Sequence, residues 1–575
     1  MAKLTIRILF FYFLGWAMLI NGTNFGDGLS GGSADDSIYG GAGQDTVFGA
    51  AGADLLRGGN DNDQIFGGIG DDSLFGMGGN DLLTGNSGDD WFVGGDGGDG
   101  YFGGAGDDTF FAEPLDTFIN GGDGSDTYVI YNTGNSNRDW DYPDIFEEDG
   151  APGTDHVITD SAINLGTGSQ AAKGGGYIEN LSIVGDAPSP DNLNFDTRIV
   201  YMNGLDNVVR VNGQNVEVFG FGGDDLLDAR RAPELAFGGR KFGADLKGQR
   251  GNDTLLGSSS NDTLNPGEGV DLLSGGDGDD WYRLSDNRTV KIIESGGGGT
   301  DLVTVSYSYK LPDAIENLGV VRAIGSSEAL VGVGNVGDND MTTGPGGTLR
   351  GLAGNDTLTS YYHPDAFVEP EDITRLLGGS GDDYYIVRSP DSVVIEGANR
   401  GIDTVAASSR YKLSAHLENL ILTDVSLNPF EDRTANGIGN GLDNTITGND
   451  GENWLIGREG NDTLEGQGGA DIFIFDRALG AGNVDHIVDF NVGSGGAGDM
   501  LKLKGIEFGS MAAGSLASNA LGFGAAASTA DHRFVFNQAT GQLWFDEDGS
   551  GAAEKVLVAT FGQSASLSVS DFEIF

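Results

Sequence analysis

Aspartates that recur every nine positions between residues 22 and 129 are the residues with the clearest chemical potential. Each stands at the sixth position of a nine-residue repeat whose first, second and fourth positions are most often glycine, as in residues 40–48 (GGAGQDTVF). Carboxylates, together with the exposed carbonyls of glycine turns, offer only oxygen donors, which are the ligands that calcium takes. The spacing therefore predicts a row of cation sites, and its regularity favours ligands over acid–base pairs.

One repeat can supply only a turn and a short strand to position these groups. Glycine permits the positive φ of a tight turn, and the three residues after the aspartate form a strand whose middle, apolar side chain points inward. Because one strand cannot bury that side chain alone, successive repeats must stack into an all-β solenoid. Few helices are expected, since no long 3.6-residue apolar period occurs.

The repeats resemble the RTX (repeats-in-toxin) nonapeptide of hemolysin-type calcium-binding proteins, G-G-x-G-x-D-x-U-x, in which U is a large apolar residue. Three repeats match in full, at residues 40–48, 67–75 and 103–111. The resemblance implies a parallel β-roll, or β-solenoid, in several blocks, with two repeats in each coil. It also implies multiple Ca²⁺ ions between the turns, held by glycine carbonyls and sixth-position aspartates.

The metal ligands that this resemblance implies are found in every repeat that keeps the aspartate. The first run supplies Asp27, Asp36, Asp45, Asp54, Asp63, Asp72, Asp81, Asp90, Asp99, Asp108 and Asp126. Later repeats add Asp225, Asp253, Asp262, Asp271, Asp280, Asp356, Asp383, Asp462 and Asp471. The glycines expected to contribute carbonyls are Gly41, Gly43, Gly68, Gly70, Gly104 and Gly106. Repeats with asparagine at this position, such as those of Asn207 and Asn444, are expected to bind weakly or not at all.

Composition favours a cation as the stabilising agent. The chain has 575 residues with 101 glycines and no cysteine, and 87 Asp and Glu outnumber 31 Lys and Arg, for a formal net charge of −56. Such a chain repels itself when compact and cannot use disulfides. We therefore expect it to stay unfolded at low cytosolic calcium and to fold outside the cell. The same charge makes nucleic acid an unfavourable partner.

Repeat arrays alternate with stretches that share a pattern of their own, which ends in Glu-Asn-Leu at residues 179–181, 316–318 and 418–420. Their β-branched and aromatic residues favour strands, so we expect them to extend or cap a roll as further parallel coils. The predicted arrays are residues 22–129, 202–283, 333–386 (degenerate) and 439–474. The spacer stretches are residues 130–201, 284–332 and 387–438, residues 1–21 form an apolar N-terminal segment, and residues 475–575 form a β-rich C-terminal domain.

Both ends of the chain carry features of export. Residues 473–475 (FIF), 485–490 (DHIVDF) and 571–575 (DFEIF) resemble the C-terminal region of serralysin-type proteases, whose terminal signal is read by type I (ABC) exporters. This resemblance implies secretion, with that machinery as a partner. The apolar run at residues 8–20 is shorter than the roughly 20 residues of a membrane span, so an integral membrane protein is not expected. It suits a signal peptide or a wrongly assigned start. Residues 546–549 (DEDG) fit either a small calcium loop or a plain hairpin turn.

No catalytic centre is expected. None of the histidines lies in H-E-x-x-H, so the serralysin resemblance does not include a zinc protease. The G-x-S-x-G string at residues 28–32 lies inside the repeat register. The favoured expectation is a secreted calcium-binding scaffold, structural or associated with a cell surface. Two alternatives stay open, namely an adhesin for glycans or cell surfaces, and an accessory or truncated exoenzyme that keeps protease-like or epimerase-like calcium modules without their catalytic domain.

Overall fold

The computed structural model describes residues 17–113, 115–130, 144–146, 153–159, 163–164, 178–183, 198–211, 216–231, 236–237, 240–241, 243–285, 289–294, 298–322, 328–361, 373–388, 392–423, 435–492, 498–551, 553–562 and 565–575. Within these ranges there are strands and two short 3₁₀ helices, Gly505–Glu507 and Val569–Asp571, but no α-helix. The predicted all-β class is confirmed. Most of the predicted apolar N-terminal segment, residues 1–16, lies outside the described residues.

The chain divides into two compact lobes, an N-terminal lobe of Met1–Asp301 and a C-terminal lobe of Leu302–Phe575. In the first array, parallel pairing joins residues that are eighteen positions apart, as in Ser37 with Leu55 and Thr46 with Gln64. Successive repeats therefore alternate between two sheets, and two repeats complete one coil. The predicted parallel β-roll is confirmed.

The N-terminal lobe contains three parallel rows of strands and a small antiparallel hairpin. The first row is Leu19–Asn21, Ser37–Ala42, Leu55–Asn60, Ser73–Gly78, Trp91–Asp96, Thr109–Ala112, Thr127–Ile130, His156–Thr159, Asn180–Ile183, Val208–Val211, Leu226–Asp228, Thr254–Leu256, Leu272–Ser274 and Lys291–Ile292. The second is Gly28–Ser30, Thr46–Ala51, Gln64–Ile69, Leu82–Ser87, Gly100–Ala105, Phe118–Asp123 and Asp144–Phe146. The third is Ile163–Asn164, Arg198–Tyr201, Val216–Gly222, Asp245–Arg250, Thr263–Glu268 and Trp281–Ser285. The hairpin pairs Ala236–Phe237 with Arg240–Lys241.

The C-terminal lobe repeats this arrangement and ends in a mixed sheet. Its longest row is Leu302–Val305, Asn317–Val320, Asp340–Thr343, Thr357–Ser360, Tyr384–Val387, Thr404–Ala407, Asn419–Leu422, Thr445–Thr447, Thr463–Glu465, Asp485–Ile487, Leu521–Phe523, Phe534–Asn537, Gln542–Phe545 and Val556–Phe561. A shorter row is Tyr309–Lys310, Val331–Val333, Thr348–Ala353, Arg375–Ser380 and Val393–Val394. The last is Tyr411–Lys412, Asn436–Ile438, Trp454–Ile456, Ile472–Phe475, Met500–Leu503, Phe572–Ile574 and Gly514–Ser515.

The core of each roll consists of the eighth-position side chains from both sheets. Val47, Leu56 and Ile65 are fully buried in successive repeats. Near the end of the first array the inward residues become aromatic, and Phe92 stacks on Phe110 with ring centroids 4.6 Å apart. Tyr101, from the facing sheet, meets Phe92 edge-on at 6.3 Å. Because each repeat buries its apolar residue only against its neighbours, stability along the roll is additive over nearest neighbours.

Two local features differ from the sequence expectation, the length of some strands and the start of the roll. Strands of the first array, such as Thr46–Ala51, are six residues long and continue through the first glycines of the next repeat, because parallel partners exist on both sides. Strands such as Thr254–Leu256 keep the predicted three residues. The roll also starts before residue 22, since Leu19–Asn21 pairs with Ser37 to Tyr39.

The spacer stretches contribute strands to the same rows. His156–Thr159 pairs in parallel with Thr127–Ile130, and Asn180–Ile183 pairs with His156–Thr159. In residues 475–575 the pairing becomes partly antiparallel, as between Phe534–Asn537 and Gln542–Phe545. The domain boundaries themselves stay a prediction.

Candidate metal centre

The sixth-position aspartates form buried, hydrogen-bonded rows along the roll. The backbone N–H of Asp45 donates to Oδ1 of Asp63 at 2.7 Å, and that of Asp63 donates to Oδ1 of Asp81 at 2.7 Å. The alternate repeats form a second row, in which the Asp54 N–H donates to Oδ1 of Asp72 at 2.8 Å. These bonds fix each carboxylate by one oxygen, so the orientation of the other oxygen is fixed as well.

The second carboxylate oxygen has no hydrogen-bond partner in most of these repeats. Buried, unpartnered Oδ2 atoms belong to Asp45, Asp54, Asp63, Asp72, Asp81, Asp90, Asp99, Asp108, Asp126, Asp225, Asp253, Asp280, Asp356, Asp383 and Asp462. Leaving a buried polar atom unsatisfied costs about 1–3 kcal/mol, and more when the atom is charged. A repeated orphan of this kind indicates a ligand.

The orphaned oxygen faces the first glycine of its own repeat and a carbonyl of the next coil. A Cβ built on Gly40 would lie 2.6 Å from Asp45 Oδ2 and 2.5 Å from the carbonyl oxygen of Gly58. A Cβ on Gly49 would lie 2.4 Å from Asp54 Oδ2 and 2.6 Å from the Gly67 carbonyl oxygen. The aspartate oxygen of the same repeat and a carbonyl oxygen of the next coil both lie beside the Cα of the first glycine. They leave no room for a Cβ, so the position requires glycine.

Burial and like charge disfavour ionisation of these carboxyls in the absence of a cation. Burial, followed by the neighbouring Asp81 and Asp45, raises the pKa of Asp63 to about 7. Burial, followed by Asp90 and Asp126, raises the pKa of Asp108 to about 8. A cation held between coils would remove both causes, since it replaces lost hydration and screens the neighbouring charges.

The donor set fits a hard divalent cation. Carboxylate and carbonyl oxygens are the ligands of calcium, whereas structural zinc takes thiolate and imidazole groups. No group of three or more His, Asp or Glu side chains converges on one point in the part of the chain that the structure describes. Backbone carbonyls must therefore supply a large share of the ligands, which the stacked glycine turns can do.

Three of the predicted aspartate ligands have their second oxygen already engaged. Asp27 Oδ2 accepts the Thr23 N–H at 2.6 Å, Asp36 Oδ2 accepts the Gly32 N–H at 2.6 Å, and Asp262 Oδ2 accepts the Ser258 N–H at 2.6 Å. Each donor is the second residue of the same repeat. These three positions lack the free oxygen of the others. Asp271 and Asp471 lie in the rows, where their Oδ1 atoms accept the N–H of Asp253 and of Asn453, each at 2.8 Å.

The six glycines predicted as ligands lie near the ends of strands or in the bends that follow them. Gly41 and Gly43 have φ of 113° and 99°, in the left-handed region that other residues seldom adopt. Gly68, Gly70, Gly104 and Gly106 share this conformation. The Gly41 carbonyl oxygen is directed at the next coil, where a Cβ on Gly59 would lie 1.9 Å away. The carbonyl oxygens that lie beside the carboxylates belong to first-position glycines such as Gly58. The sequence pattern did not identify these first-position glycines as ligands.

Acidic residues outside the predicted repeats continue the rows. The Asp126 N–H donates to Oδ1 of Asp155 at 2.8 Å, and the Asp155 N–H donates to Oε2 of Glu179 at 2.8 Å. Asp403 and Glu418 are joined in the same way at 2.9 Å. Other acids that accept from a row aspartate are Asp116, Asp301, Asp485 and Asp499. The shared Gly-x-Asp and Glu-Asn-Leu patterns of the spacer stretches were the signal that could have identified several of them.

Four repeats carry asparagine at both the second and the sixth position, at residues 202–210, 334–342, 439–447 and 448–456, and are called the asparagine-closed repeats. In the third, Asn444 Nδ2 donates to the carbonyls of Leu417 at 2.9 Å and Glu418 at 3.2 Å, while Asn444 Oδ1 accepts the Asn440 N–H at 2.8 Å. The amide thus satisfies its own groups and the carbonyls of the preceding coil. This geometry supplies donors where a cation would otherwise be needed.

Tyrosine closes the rows at three other places. Tyr101 donates to Asp116 Oδ2 at 2.8 Å. The hydroxyls of Tyr282 and Tyr385 bond to Glu294 and Glu396 and also accept the N–H of Gly275 at 2.6 Å and Gly378 at 2.8 Å. Each tyrosine is an eighth-position residue whose ring is buried, so its hydroxyl reaches the turn from inside the roll.

Comparison with known proteins agrees with this geometry. The family described as RTX calcium-binding nonapeptide repeat (4 copies) matches residues 21–56, 48–83, 75–110, 246–282 and 438–473. Two relatives come from Rhizobium meliloti (strain 1021). Endo-1,3-1,4-beta-glycanase ExsH is 37% identical over 109 residues, which are 19% of this chain and 20% of that protein. Endo-1,3-1,4-beta-glycanase EglC is 40% identical over 166 residues, 29% of this chain and 30% of that protein. This chain spans less than a third of the length of these curated relatives.

Proposed function

We infer that this RTX calcium-binding repeat protein, whose nonapeptides bind multiple Ca²⁺ ions, is a secreted scaffold that folds when it meets extracellular calcium. The observation that carries the proposal is the row of buried Oδ2 atoms without partners, each beside a first-position glycine. When bound, calcium supplies the positive charge and the coordination that these oxygens lack. Binding free energy then becomes folding free energy, because the unfolded chain has no such site.

The proposed ligands are the fifteen aspartates with a free Oδ2, together with carbonyls of first-position glycines such as Gly58 and Gly67. The Oδ1 bond to the preceding coil holds each carboxylate in place, and the turn glycines expose the carbonyls. Asp27, Asp36 and Asp262 are weaker candidates, because their second oxygens accept hydrogen bonds from their own repeats. Gly41, Gly43 and the other predicted turn glycines act through backbone conformation.

Secretion is the second part of the proposal. A formal net charge of −56 disfavours compaction until cations bind, which suits a chain that crosses an exporter unfolded. The described residues contain no helix of the length and apolarity that a membrane crossing requires. Export by a type I system is tested by expressing the chain with and without such an exporter. Its appearance in the medium only with the exporter supports the proposal, and equal release without it contradicts this route.

A glycan-binding scaffold is a second candidate, favoured by aromatic rings on the outside of the first array. Phe48, which is 43% exposed, stacks on Phe66 with centroids 4.9 Å apart and planes 11° apart. On the other sheet, Trp91 and Phe111 rings lie 4.5 Å apart. Exposed apolar patches mark interaction surfaces, and flat rings can pack against the faces of sugar rings. Retention on a β-glucan resin that is lost in Phe48→Ala/Phe66→Ala supports this candidate, and unchanged retention excludes it.

No hydrolase activity is proposed, since the glycanase relatives match this chain over less than a third of their length. The proposed absence of hydrolase activity is tested by incubating the calcium-loaded chain with mixed-linkage β-glucan and measuring reducing ends. Release of reducing ends above a heat-treated control would show that a catalytic site is present.

The folding proposal is tested by far-UV circular dichroism during a calcium titration, with magnesium as the control. We expect a cooperative gain of β signal with calcium alone, at about 10⁻⁴–10⁻³ M, the range of extracellular calcium modules. Magnesium should fail, because it holds its water more tightly and demands a stricter octahedral geometry. A full β spectrum in chelator would mean that packing alone folds the repeats and would overturn the proposal.

A further inference from the structure

A pocket of about 590 Å³ lies in the C-terminal lobe, where it is lined in part by turn residues of the repeats at residues 439–447 and 457–465. Its charged walls are Lys412, His416, Arg458 and Glu459, and the rest is formed by residues 413–415 and 440–442. The wall that carries His416 is held in place by Asn440, whose Nδ2 donates to the carbonyls of Ser414 at 2.7 Å and Leu417 at 2.8 Å. The pocket is therefore built on a fixed part of the roll.

The pocket concentrates positive charge in a strongly acidic protein. The side chains of Lys412, His416 and Arg458 make no hydrogen bond or ion pair with any described residue, and the Arg458 Nε is buried. Glu459, the acidic wall residue, is engaged by Arg477, whose Nε donates to Glu459 Oε1 at 2.8 Å. With 87 acidic side chains available in the chain, two cations, Lys412 and Arg458, and one imidazole that line the same pocket without a described partner call for an anion from outside.

Two of these three side chains stand on backbone that is unfavourable for their residue types. His416 and Arg458 have φ of 69° and 81°, in the left-handed region that glycine occupies at low cost. Arg458 is the second residue of its repeat, a position that glycine fills in residues 40–48. Other second-position residues such as Ala50 and Leu352 have the same conformation, so the backbone there accepts a side chain but does not require a basic one.

The preceding part of the same lobe provides an internal comparison. The strands Tyr309–Lys310, Val331–Val333 and Thr348–Ala353 pair in the same order as Tyr411–Lys412, Asn436–Ile438 and Trp454–Ile456. At the places of His416, Arg458 and Glu459 this earlier copy has Ala314, Leu352 and Ala353. Leu352 has the same left-handed backbone, with φ of 90°. Lys310 stands at the place of Lys412, so the two copies share this lysine and differ at the histidine and the arginine. The scaffold forms without His416 and Arg458, so these two side chains serve something other than the fold.

We propose that Lys412, His416 and Arg458 form a binding site for an oxyanion, the carboxylate or phosphate group of an acidic sugar. The planar guanidinium of Arg458 matches the two oxygens of such a group. Lys412 adds charge and His416 adds N–H donors from the same pocket lining, and the 38% exposed Leu442 offers an apolar surface to the sugar ring. The site would let the scaffold hold acidic polymers despite its overall negative charge. This inference does not depend on the calcium proposal, which has its own titration.

The test is ligand-observed NMR on the calcium-loaded full chain, with D-glucuronate, glucose 6-phosphate and neutral glucose as probes. We expect both anions to bind, weakening as ionic strength rises, and glucose not to bind. The preference between the anions identifies the carboxylate or the phosphate as the source. His416→Ala/Arg458→Leu, which installs the residues of the earlier copy, should lower anion affinity at least tenfold.

Two controls make the result decisive. Arg350→Leu, which removes an exposed cation outside the pocket, should leave anion binding unchanged. The calcium midpoint of the double variant, followed by circular dichroism, should equal that of the parent chain and so report an intact fold. Unchanged anion binding in the double variant, or glucose binding as strong as glucuronate binding, would overturn the proposal. A third outcome would also overturn it. If the parent chain binds neither anion but forms salt-sensitive dimers, and the double variant loses these dimers, the pocket binds a second copy of the chain.

Discussion

The aspartate repeats of residues 40–111 and the asparagine-closed repeats use one backbone frame but close their turns differently. The backbone link is the same, since the Asp45 N–H bonds Asp63 Oδ1 at 2.7 Å and the Asn444 N–H bonds Asp462 Oδ1 at 2.7 Å. Asp45 then leaves its Oδ2 without a partner, whereas Asn444 donates from Nδ2 to two carbonyls. The two turns therefore differ in whether the second atom of the side-chain group has a partner, and we propose that this difference decides whether a turn needs a cation.

The position of the asparagine-closed repeats gives this difference a role. Each group follows a spacer stretch that contains Glu-Asn-Leu, so it stands where a new predicted array begins. Asn335 Nδ2, for example, donates to the carbonyls of Pro312 and Ile315, both at 2.7 Å. The junctions between arrays are therefore held by hydrogen bonds within the protein, and the calcium-dependent turns lie between such junctions.

Calcium removal should separate the two kinds of repeat most strongly. In chelator, hydrogen exchange should show full loss of protection for Thr46–Ala51 and Gln64–Ile69, whose turns contain free carboxylate oxygens. Asn436–Ile438, Thr445–Thr447 and Trp454–Ile456 should keep measurably more protection, because their turns are closed by amide groups. Mass spectrometry of peptic fragments measures both regions in one sample. Equal loss in both would show that asparagine closure contributes nothing.

Acidification should partly replace calcium in the aspartate repeats. Their carboxyls ionise near pH 3.8 when unfolded, but burial raises the folded pKa of Asp63 to about 7 and of Asp90 to about 7. Between these values the folded form binds more protons, so the stability of the calcium-free roll must fall as pH rises. We expect a higher melting temperature at pH 5 than at pH 8 in chelator, measured by circular dichroism. A calcium-free melting temperature that increases with pH would contradict this.

Replacement of Asn444 by aspartate should destabilise the calcium-free C-terminal lobe. Asn444→Asp removes two donors and turns a charged oxygen towards the carbonyls of Leu417 and Glu418, at a cost of about 2–4 kcal/mol. Urea unfolding in chelator measures this loss. Asn436→Asp is the matched control, since its Oδ1 only accepts the Trp454 N–H at 3.1 Å and an aspartate can do the same. An equal effect of both substitutions would remove the special role of Asn444.

The reverse substitution in the first array should shift the calcium requirement. Asp72→Asn replaces a carboxylate with a free Oδ2 by a neutral amide, so we expect the calcium midpoint to rise severalfold, about 1 kcal/mol. Asp71→Asn is the control, because its exposed Oδ1 accepts the Asp89 N–H at 2.9 Å and asparagine keeps that bond. Titrations followed by circular dichroism compare the three chains. A midpoint that moves as far in Asp71→Asn would locate the ion elsewhere.

The smallest expected effect concerns backbone strain that is found in the aspartate repeats and not in the asparagine-closed repeats. Ala50 has φ of 85°, at the second position where glycine is usual. Ala50→Gly should therefore stabilise the calcium-loaded roll by up to about 1 kcal/mol. Ala51→Gly next to it should destabilise the roll by a similar amount, since that position gains nothing from glycine. Thermal melts in saturating calcium distinguish the two, and a loss of stability in Ala50→Gly would contradict the assigned conformation.

The repeat register was enough to predict the parallel roll, the inward eighth-position residues and the aspartate rows, because a nine-residue period admits few ways to bury one apolar side chain per strand. The site itself was predicted less completely. The contribution of Gly58 and other first-position carbonyls depends on which way each peptide plane faces, which the residue type does not determine.

The other residues missed by sequence reasoning lie outside the nonapeptide period. Asp155 and Glu179 join the row from 29 and 24 residues further along the chain, so no fixed spacing identifies them. The second oxygens of Asp36 and Asp262 accept hydrogen bonds from N–H groups of their own repeats. Most repeats have an N–H group at the same position, so the sequence does not tell which of them point at the carboxylate. The weak calcium binding expected of the Asn444 repeat stays a prediction, and its donor role could not be predicted because it requires the position of the preceding coil.

The eighteen-residue pairing offset also constrains how such a gene can grow. Duplication of a single nonapeptide would move every later strand to the opposite sheet and every later carboxylate to the opposite row. Duplication of two nonapeptides preserves both, and longer inserts between rows are tolerated, as the 29-residue step from Asp126 to Asp155 shows. Array length can thus evolve in whole coils, each adding two more potential ion positions without any redesign of the core.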